Sequence, residues 1–176
     1  MRLVRVAANT TGVTADKFSC AIFFNFNLNM KNILVLCTGN SCRSQIAEGY
    51  LRHFAHEQAI IYSAGIQTHG VNPRAIATMA EDGIDISAHT SNHIDEYRDV
   101  PFDYIITVCD HAQENCPYFP SQATRFHQNF TDPAKATGTE EEITTAFRQV
   151  RDQIKAYCQQ FAANHILAES INSKIN

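Results

Sequence analysis

A cysteine and an arginine separated by five residues stand between an apolar run and a segment with helical periodicity. Cys37 follows the apolar residues 33–36, and Arg43 opens the helical pattern that continues to residue 57. In such a turn, backbone N–H groups and the positive end of the helix dipole can surround an anion. The guanidinium of Arg43 can hold two oxygens of that anion. The pattern therefore predicts an oxyanion loop, residues 37–43, with Cys37 as its nucleophile.

The same electric field is expected to lower the pKa of Cys37, so that its thiolate is present at neutral pH. Ser44 can donate its hydroxyl to this thiolate. A purely structural interpretation does not account for Arg43, because a cation at a helix start opposes the helix dipole unless it binds an anion. The residues expected to bind the oxyanion are Thr38, Gly39, Asn40, Ser41, Cys42 and Arg43.

Two further cysteines, Cys109 and Cys116, are separated by six residues after another apolar run. In an open α/β sheet, sites form at the carboxyl ends of strands where the strand order reverses. With strand order 2-1-3-4, Cys37 and Cys109 would lie on neighbouring strand ends. Neighbouring strands are about 4.8 Å apart, within the Cα separation that a disulfide needs. Cys109 could therefore attack a sulfur adduct on Cys37.

Cys116 cannot bridge to Cys109 without a conformational change. If residues 110–116 are helical, the two cysteines are roughly 10 Å apart. A disulfide between them would require this segment to unwind, and would carry the bridge toward solvent. The alternatives are two inert thiols near a loop or half of a metal site, although the spacing does not match structural zinc. We favour a redox relay.

Asp132 precedes Pro133 in a polar loop after the fourth predicted strand. A displacement at an oxyanion needs a proton for the leaving oxygen, and a carboxylic acid above the oxyanion loop can supply it. On its own, Asp-Pro is a turn signal. Together with the oxyanion loop, it makes Asp132 a candidate general acid.

Apolar runs that alternate with helix-period segments would position these residues. The alternation predicts an α/β fold of three layers, a four-stranded parallel sheet with helices on both faces, for which we adopt the order 2-1-3-4. Strands are predicted at residues 32–36, 59–63, 104–108 and 124–126, and helices at residues 43–57, 73–83 and 91–97 and after residue 139. Asn72-Pro73 and Thr139…Glu142 are helix-start signals. The last helix carries a core stripe, beside which Cys158 should pack: Ile143, Phe147, Val150, Ile154, Tyr157 and Phe161.

Composition limits the remaining possibilities. A chain of 176 residues with 44% hydrophobic content indicates one globular domain. A net charge of −4 argues against nucleic acid or an acidic membrane as partner. Six cysteines without a secretory signal indicate the reducing cytoplasm. We expect a monomer whose domain spans residues 30–164, with a leader or upstream-start extension at residues 1–29 and a polar tail at residues 165–176.

The motif LCTGNSCRSQIAEG (residues 36–49), the motif THGVNP (residues 68–73) and the two later cysteines resemble thioredoxin-coupled arsenate reductases. That family shares the fold of low-molecular-weight tyrosine phosphatases, and the resemblance spans about residues 30–161. It implies reduction of arsenate to arsenite in arsenic detoxification, with phosphate or sulfate as analogues and thioredoxin or a similar thiol donor as reductant. The roles it implies are nucleophile for Cys37, activators for Arg43 and Ser44, general acid for Asp132, and relay for Cys109 and Cys116.

Some members of that family bind a potassium ion, and no other cofactor is expected. The matching positions are Asn40, Glu48, Ser63 and Asn92. The last is an aspartate in the ion-binding pattern, so the lost charge weighs against the ion. Cys42 matches a second loop cysteine of reductases and phosphatases alike, and is not expected to be needed for turnover.

Two other functions use the same oxyanion loop. A low-molecular-weight phosphotyrosine protein phosphatase would employ the same nucleophile, arginine and acid, with water resolving the intermediate. It would leave Cys109 and Cys116 without a purpose, and Ala134 stands where these phosphatases usually carry an aromatic residue. A non-enzymatic oxyanion sensor would need no general acid, so Asp132 counts against it.

Overall fold

Four parallel strands form the centre of the computed structural model, which describes residues 30–114 and 122–168. Their order is β2-β1-β3-β4, and each neighbouring pair is parallel. The predicted fold class and strand order are confirmed. The strands are β1 Lys31–Cys37, β2 Ala59–Gly65, β3 Tyr104–Thr107 and β4 Thr124–His127.

Four α-helices connect and cover the strands. They are α1 Arg43–Ala55, α2 Pro73–Glu81, α3 Asp110–Glu114 and α4 Glu140–Ala162. Short 3-10 turns occupy His56–Gln58, Ile94–Tyr97 and Pro133–Lys135. The helix predicted at residues 91–97 is thus only a 3-10 turn. None of the helices in the described ranges has the length and apolar character needed to cross a lipid bilayer.

Side-chain caps fix where α2 and α4 begin. The Asn72 side chain accepts a hydrogen bond from the Arg74 N–H at 2.8 Å, and Pro73 occupies the first helical turn. Thr139 accepts from the Glu142 N–H at 3.3 Å, and the Glu142 carboxylate accepts from the Thr139 N–H at 2.7 Å. Both predicted helix starts are confirmed.

Helix α4 packs against α1 and α2 through the predicted stripe. Phe147, Val150, Ile154 and Phe161 are buried, Ile143 and Tyr157 are partly buried, and Cys158 is fully buried. The helix continues as a π turn, Ala163–Leu167, in which Ile166 is buried. The helical segment therefore continues past residue 164, beyond which the polar tail was predicted. Residues 1–29 and 169–176, on which the leader and most of the tail fall, lie outside the described residues.

Gly65, the last residue of β2, lies against the oxyanion loop. A Cβ at this position would lie 2.8 Å from both the Thr38 carbonyl oxygen and the Asn40 nitrogen, and would overlap the Gln67 carbonyl. Carbon normally keeps about 3.5 Å from such atoms. Any side chain at residue 65 would therefore displace the oxyanion loop.

Replacing Gly65 with alanine should lower the free energy of unfolding by about 1–3 kcal/mol, because the backbone around it must shift. The deformed loop should also bind phosphate more weakly. Urea unfolding and phosphate titration measure the two effects.

The matched control is Gly83→Ala. At Gly83, φ is +77°, and an added Cβ would have no described atom within 4 Å apart from those of the adjacent residues. The backbone strain there should cost about 1–2 kcal/mol and leave phosphate affinity unchanged. Equal phosphate affinity in both variants would show that Gly65 does not support the oxyanion loop.

Candidate active site

Backbone hydrogen bonds from a supporting loop, residues 66–72, orient the oxyanion loop. The acceptors are the carbonyls of Cys37, Thr38, Gly39 and Ser41, and the donors are the N–H groups of Ile66, Gln67, His69 and Asn72, at 3.4, 2.9, 3.1 and 3.0 Å. In a trans peptide the carbonyl and the following N–H point in opposite directions. Because these carbonyls turn toward the supporting loop, the following N–H groups turn toward the cavity that the oxyanion loop lines. The loop is thereby arranged to bind an anion.

The start of α1 adds to this arrangement. Cys42 is the N-cap residue of α1 and makes no side-chain capping hydrogen bond. The first turn of α1 also contains no acidic side chain. Its N–H groups and the positive end of its dipole therefore remain available to an anion in the cavity.

Asn40 fixes the shape of the oxyanion loop from within. It is fully buried and has φ +43°, in the left-handed region that asparagine tolerates better than most residues. Its amide donates to the Ser44 hydroxyl at 3.0 Å and to the Ser63 hydroxyl at 2.8 Å. Its side-chain oxygen accepts from the Gln45 amide at 3.1 Å and the Asn92 N–H at 2.8 Å. Because Ser44 accepts here, its own proton remains available for donation.

Arg43 reaches from α1 across the cavity toward the loop after β4. One terminal nitrogen donates to the Phe130 carbonyl at 3.0 Å, and the other donates to the Asp132 carboxylate at 2.9 Å. The Nε of Arg43 is buried and has no hydrogen-bond partner among the described residues. A buried donor without a partner costs about 1–3 kcal/mol. An oxyanion in the cavity would satisfy it.

The sulfur of Cys109 lies 3.7 Å from the sulfur of Cys37. The pairing of β1 with β3 produces this proximity, since Leu36 pairs with Thr107 and the two cysteines follow at the same sheet edge. The Thr38 hydroxyl also lies 3.3 Å from the Cys109 sulfur. Both cysteines are about 4% exposed.

The predicted thiolate at Cys37 is corrected by this contact. The hydrogen bond that Cys37 donates to Cys109, together with burial, raises the pKa of Cys37, although Arg43 and the Thr38 N–H act against the rise. The hydrogen bond from Cys37 lowers the pKa of Cys109 to about 5, with help from Thr38 and the Ala112 N–H. Two sulfurs at this distance share one charge, and in this geometry Cys109 carries it. The proton of Cys37 can then pass to Cys109 along their contact.

Cys42 and Cys116 are the other two cysteines of the predicted site. Burial and the nearby Asp132 raise the pKa of Cys42 to about 11, so this thiol is protonated at neutral pH. Cys116 lies outside the described residues, between Glu114 and residue 122. Its predicted role therefore stays a prediction.

Asp132 lies on the wall of a cavity of about 820 Å³ above the oxyanion loop. Besides accepting from Arg43, its carboxylate accepts from the Ala134 N–H at 3.1 Å, which starts the 3-10 turn Pro133–Lys135. The Asp132 side chain is 25% exposed. The cavity thus holds the predicted nucleophile, arginine and acid together.

The four residues predicted for potassium lie close to one another. One Glu48 oxygen pairs with Arg52 at 2.6 Å, and the other accepts from Ser63 at 2.5 Å. The Asn92 side chain contacts Thr90 and Glu96. Arg52 balances the charge of Glu48, which weakens its attraction for a cation, and the potassium site stays a prediction. The described residues also contain no cluster of three or more histidine, cysteine or acidic side chains that could hold a metal.

Several residues of this cavity were not found from the sequence. Asp110, Asn129 and Phe130 line it beside the predicted residues, as does His69. The Phe130 carbonyl binds Arg43 through its backbone, which leaves no side-chain signal. Asp110 could have been noticed because it follows Cys109 directly.

Comparison with known proteins identifies one matching family and several similar proteins. The model of the low molecular weight phosphotyrosine protein phosphatase family matches residues 32–174. An arsenate reductase of Halalkalibacterium halodurans is 50% identical over 135 residues, which cover 77% of this chain and 97% of that protein. A solved arsenate reductase in the oxidized state has a TM-score of 0.64 and 30% identity, over 76% of this chain and 98% of that one. Another, in the phosphate binding state, has a TM-score of 0.59 and 29% identity over the same shares.

Titration can test whether Cys109 carries the single negative charge that the two sulfurs share. In the reduced protein, thiolate absorbance should appear as the pH rises through about 5, because the pKa of Cys109 is lowered to that value. Cys37→Ala should move the transition to higher pH by removing the S–H donor. Iodoacetamide applied to the unmodified chain near pH 5 should modify Cys109, as identified by peptide mass spectrometry. Modification of Cys37 instead would place the thiolate on Cys37.

Proposed function

The chain belongs to the low molecular weight phosphotyrosine protein phosphatase family, and we propose that within this family it reduces arsenate to arsenite. The observation that carries the proposal is the 3.7 Å contact between the sulfurs of Cys37 and Cys109. A phosphatase needs no second sulfur beside its nucleophile, whereas a reductase needs one to accept the bond. The names of similar relatives support the same activity.

Arsenate would bind in the oxyanion loop. The N–H groups that face the cavity, the start of α1 and the unpartnered Nε of Arg43 all favour a tetrahedral anion. A solved relative in the phosphate binding state supports a site of this kind. Phosphate and sulfate should compete with arsenate, because they present the same tetrahedral oxygens.

In the first step, Cys37 attacks the arsenic and forms a sulfur–arsenic bond. The proton of Cys37 passes to Cys109 along their contact. A hydroxyl of the arsenate leaves as water with a proton from Asp132, which lines the same cavity. Arg43 and Ser44 assist by holding the oxygens and donating to the sulfur.

In the second step, Cys109 attacks the sulfur of Cys37. A disulfide forms as the sulfur–arsenic bond breaks, and the electron pair of that bond stays on arsenic. Arsenic is thereby reduced from As(V) to As(III), and the proton on Cys109 passes to the departing arsenite. The two sulfurs are 3.7 Å apart in this structure, so formation of the disulfide between them needs little movement.

In the third step, the thiolate of Cys116 attacks Cys109, and Cys37 leaves as a thiolate that takes up the proton released when Cys116 ionised. We propose that α3, Asp110–Glu114, unwinds in this step, because a helix that continued to residue 116 would hold the two cysteines roughly 10 Å apart. A dithiol protein such as thioredoxin then returns two electrons and two protons to the Cys109–Cys116 disulfide. Such a reductant implies the cytoplasm as the location.

Phosphatase activity is a second candidate function, favoured by the family match and by the shared oxyanion loop. Water would replace Cys109 as the group that resolves the Cys37 intermediate. Ala134, which follows the Asp-Pro pair, offers no aromatic ring to hold a phosphotyrosine. We therefore propose weak phosphatase activity beside arsenate reduction.

The relay is tested by separating the two activities. Cys109→Ser and Cys116→Ser should reduce thioredoxin-coupled arsenite release to background, because the arsenic adduct or the first disulfide cannot be resolved. Both variants should retain p-nitrophenyl phosphate hydrolysis. Cys20→Ser, to which the sequence assigns no role, is the control and should match the unmodified chain in both assays. Parallel loss of both activities would mean that the two cysteines serve the fold instead.

The nucleophile is tested by Cys37→Ser. A serine hydroxyl is not ionised in this site, so the variant should lose arsenate reduction and phosphatase activity together. Retention of phosphate binding, measured by titration calorimetry, would show that the oxyanion loop remains intact. Appreciable turnover by this variant would reject Cys37 as the nucleophile.

A further inference from the structure

Three elements converge on Asp110, the first residue of α3. One oxygen of its carboxylate lies 3.1 Å from the Nε2 of His127, and the other accepts from the Asn129 amide at 2.7 Å. The opposite nitrogen of His127 contacts the Thr107 hydroxyl at 2.8 Å. Thr107 is a buried residue of β3. One oxygen of the exposed Asp110 carboxylate therefore contacts β4, and the other contacts the loop that follows β4.

Helix α3 needs such an anchor. Its described part is Asp110–Glu114, and helices in proteins are stabilised mainly by tertiary contacts rather than by their own hydrogen bonds. It begins immediately after Cys109, whose carbonyl accepts from the Gln113 N–H at 3.1 Å. Contacts at its first residue therefore determine where its first turn lies.

The position of that first turn affects the sulfur of Cys109. The Ala112 N–H, which belongs to this turn, stabilises the Cys109 thiolate. Cys37 and Thr38 contact the same sulfur from the oxyanion loop. Movement of the turn would separate the thiolate from one donor and change its distance from the other two.

Electrostatics alone do not favour an aspartate at this position. A carboxylate beside a cysteine that carries negative charge disfavours the charged sulfur. The hydrogen bonds to His127 and Asn129, which tie Asp110 to β4 and to the loop after it, give the side chain a mechanical purpose instead.

We propose that Asp110 is a positioning residue, whose contacts with His127 and Asn129 hold Cys109 beside Cys37 and must break before α3 unwinds. The inference rests on the proposed relay. The anchor favours the first disulfide, Cys37–Cys109, which forms with α3 in place. It opposes the second disulfide, Cys109–Cys116, which requires α3 to unwind.

The first test uses the reduced protein without arsenate. The rate at which iodoacetamide alkylates Cys109 is measured against pH, with the modified residue identified by peptide mass spectrometry. In Asp110→Ala the midpoint should rise by about one pH unit, because loss of the backbone donor to the thiolate outweighs removal of the exposed, solvent-screened charge of Asp110. Amide exchange of residues 110–114 should become faster in the same variant.

Asp152→Ala is the matched control. Asp152 is 61% exposed and pairs with Arg151, while Asp110 is 62% exposed and pairs with His127. The control should match the unmodified chain in alkylation and exchange. Asn129→Ala, which removes one of the two contacts and leaves the carboxylate, should shift the midpoint in the same direction by a smaller amount. It also provides the test if Asp110→Ala does not fold.

The second test follows a single turnover. In Asp110→Ala, arsenite release should slow by roughly tenfold, as expected for loss of a hydrogen bond to a charged group. The later formation of the Cys109–Cys116 disulfide should be at least as fast as in the unmodified chain. General damage to the fold would slow both steps.

The outcomes distinguish the positioning role of Asp110 from the proposed reduction of arsenate. An unchanged alkylation midpoint, an equal shift in Asp152→Ala, or equal slowing of both steps would overturn the role of Asp110. If the unmodified chain releases no arsenite, the proposed function fails, and the alkylation profile still decides whether Asp110 positions Cys109.

Discussion

The contact between the sulfurs of Cys37 and Cys109 allows the pair a single negative charge, and much of the site follows from this restriction. At 3.7 Å and nearly full burial, two thiolates would repel each other strongly. One sulfur must therefore hold a proton, and the hydrogen-bond donors around the pair decide which one. The Thr38 hydroxyl and the Ala112 N–H favour charge on Cys109, the Thr38 N–H favours charge on Cys37, and Arg43 acts on both. In the proposed reaction, small shifts of this proton select the nucleophile of each step.

The sulfur pair depends in turn on a rigid oxyanion loop. The supporting loop binds the carbonyls of the oxyanion loop, and Asn40 fills its centre with hydrogen bonds to Ser44 and Ser63. Because Asn40 is fully buried and has a positive φ, few other side chains could replace it without strain or an unpaired polar group. The donors are thus oriented before any anion arrives. Binding then requires little reorganisation.

Long, regular patterns made the fold predictable from the sequence. The alternation of apolar runs and helical segments predicted the parallel sheet covered by helices, and the side chains of Asn72 and Thr139 indicated where two helices begin. Local signals failed where tertiary contacts decide the structure. The 3-10 turn Ile94–Tyr97 and the continuation of α4 to Leu167 were missed for that reason.

The candidate site likewise contains residues that were predictable from the sequence and features that were not. Residue types and spacing identified Cys37, Arg43, Cys109 and Asp132, all of which line one cavity. The neighbouring positions of Cys37 and Cys109 were predicted, but which sulfur keeps the proton was not, because that depends on the donors arranged around the 3.7 Å contact. The anchoring of Asp110 by residues of β4 was equally invisible, since no spacing rule joins them.

Arg43 connects anion binding to proton donation in the proposed mechanism. Its guanidinium holds Asp132 at 2.9 Å and the Phe130 carbonyl at 3.0 Å, while its Nε has no partner among the described residues. An entering oxyanion would compete with Asp132 and the Phe130 carbonyl for the same guanidinium. Release from Arg43 would let the Asp132 side chain turn toward the leaving oxygen of the anion. Substrate binding would thereby position the acid that the first step uses, and would do so only when the anion occupies the oxyanion loop.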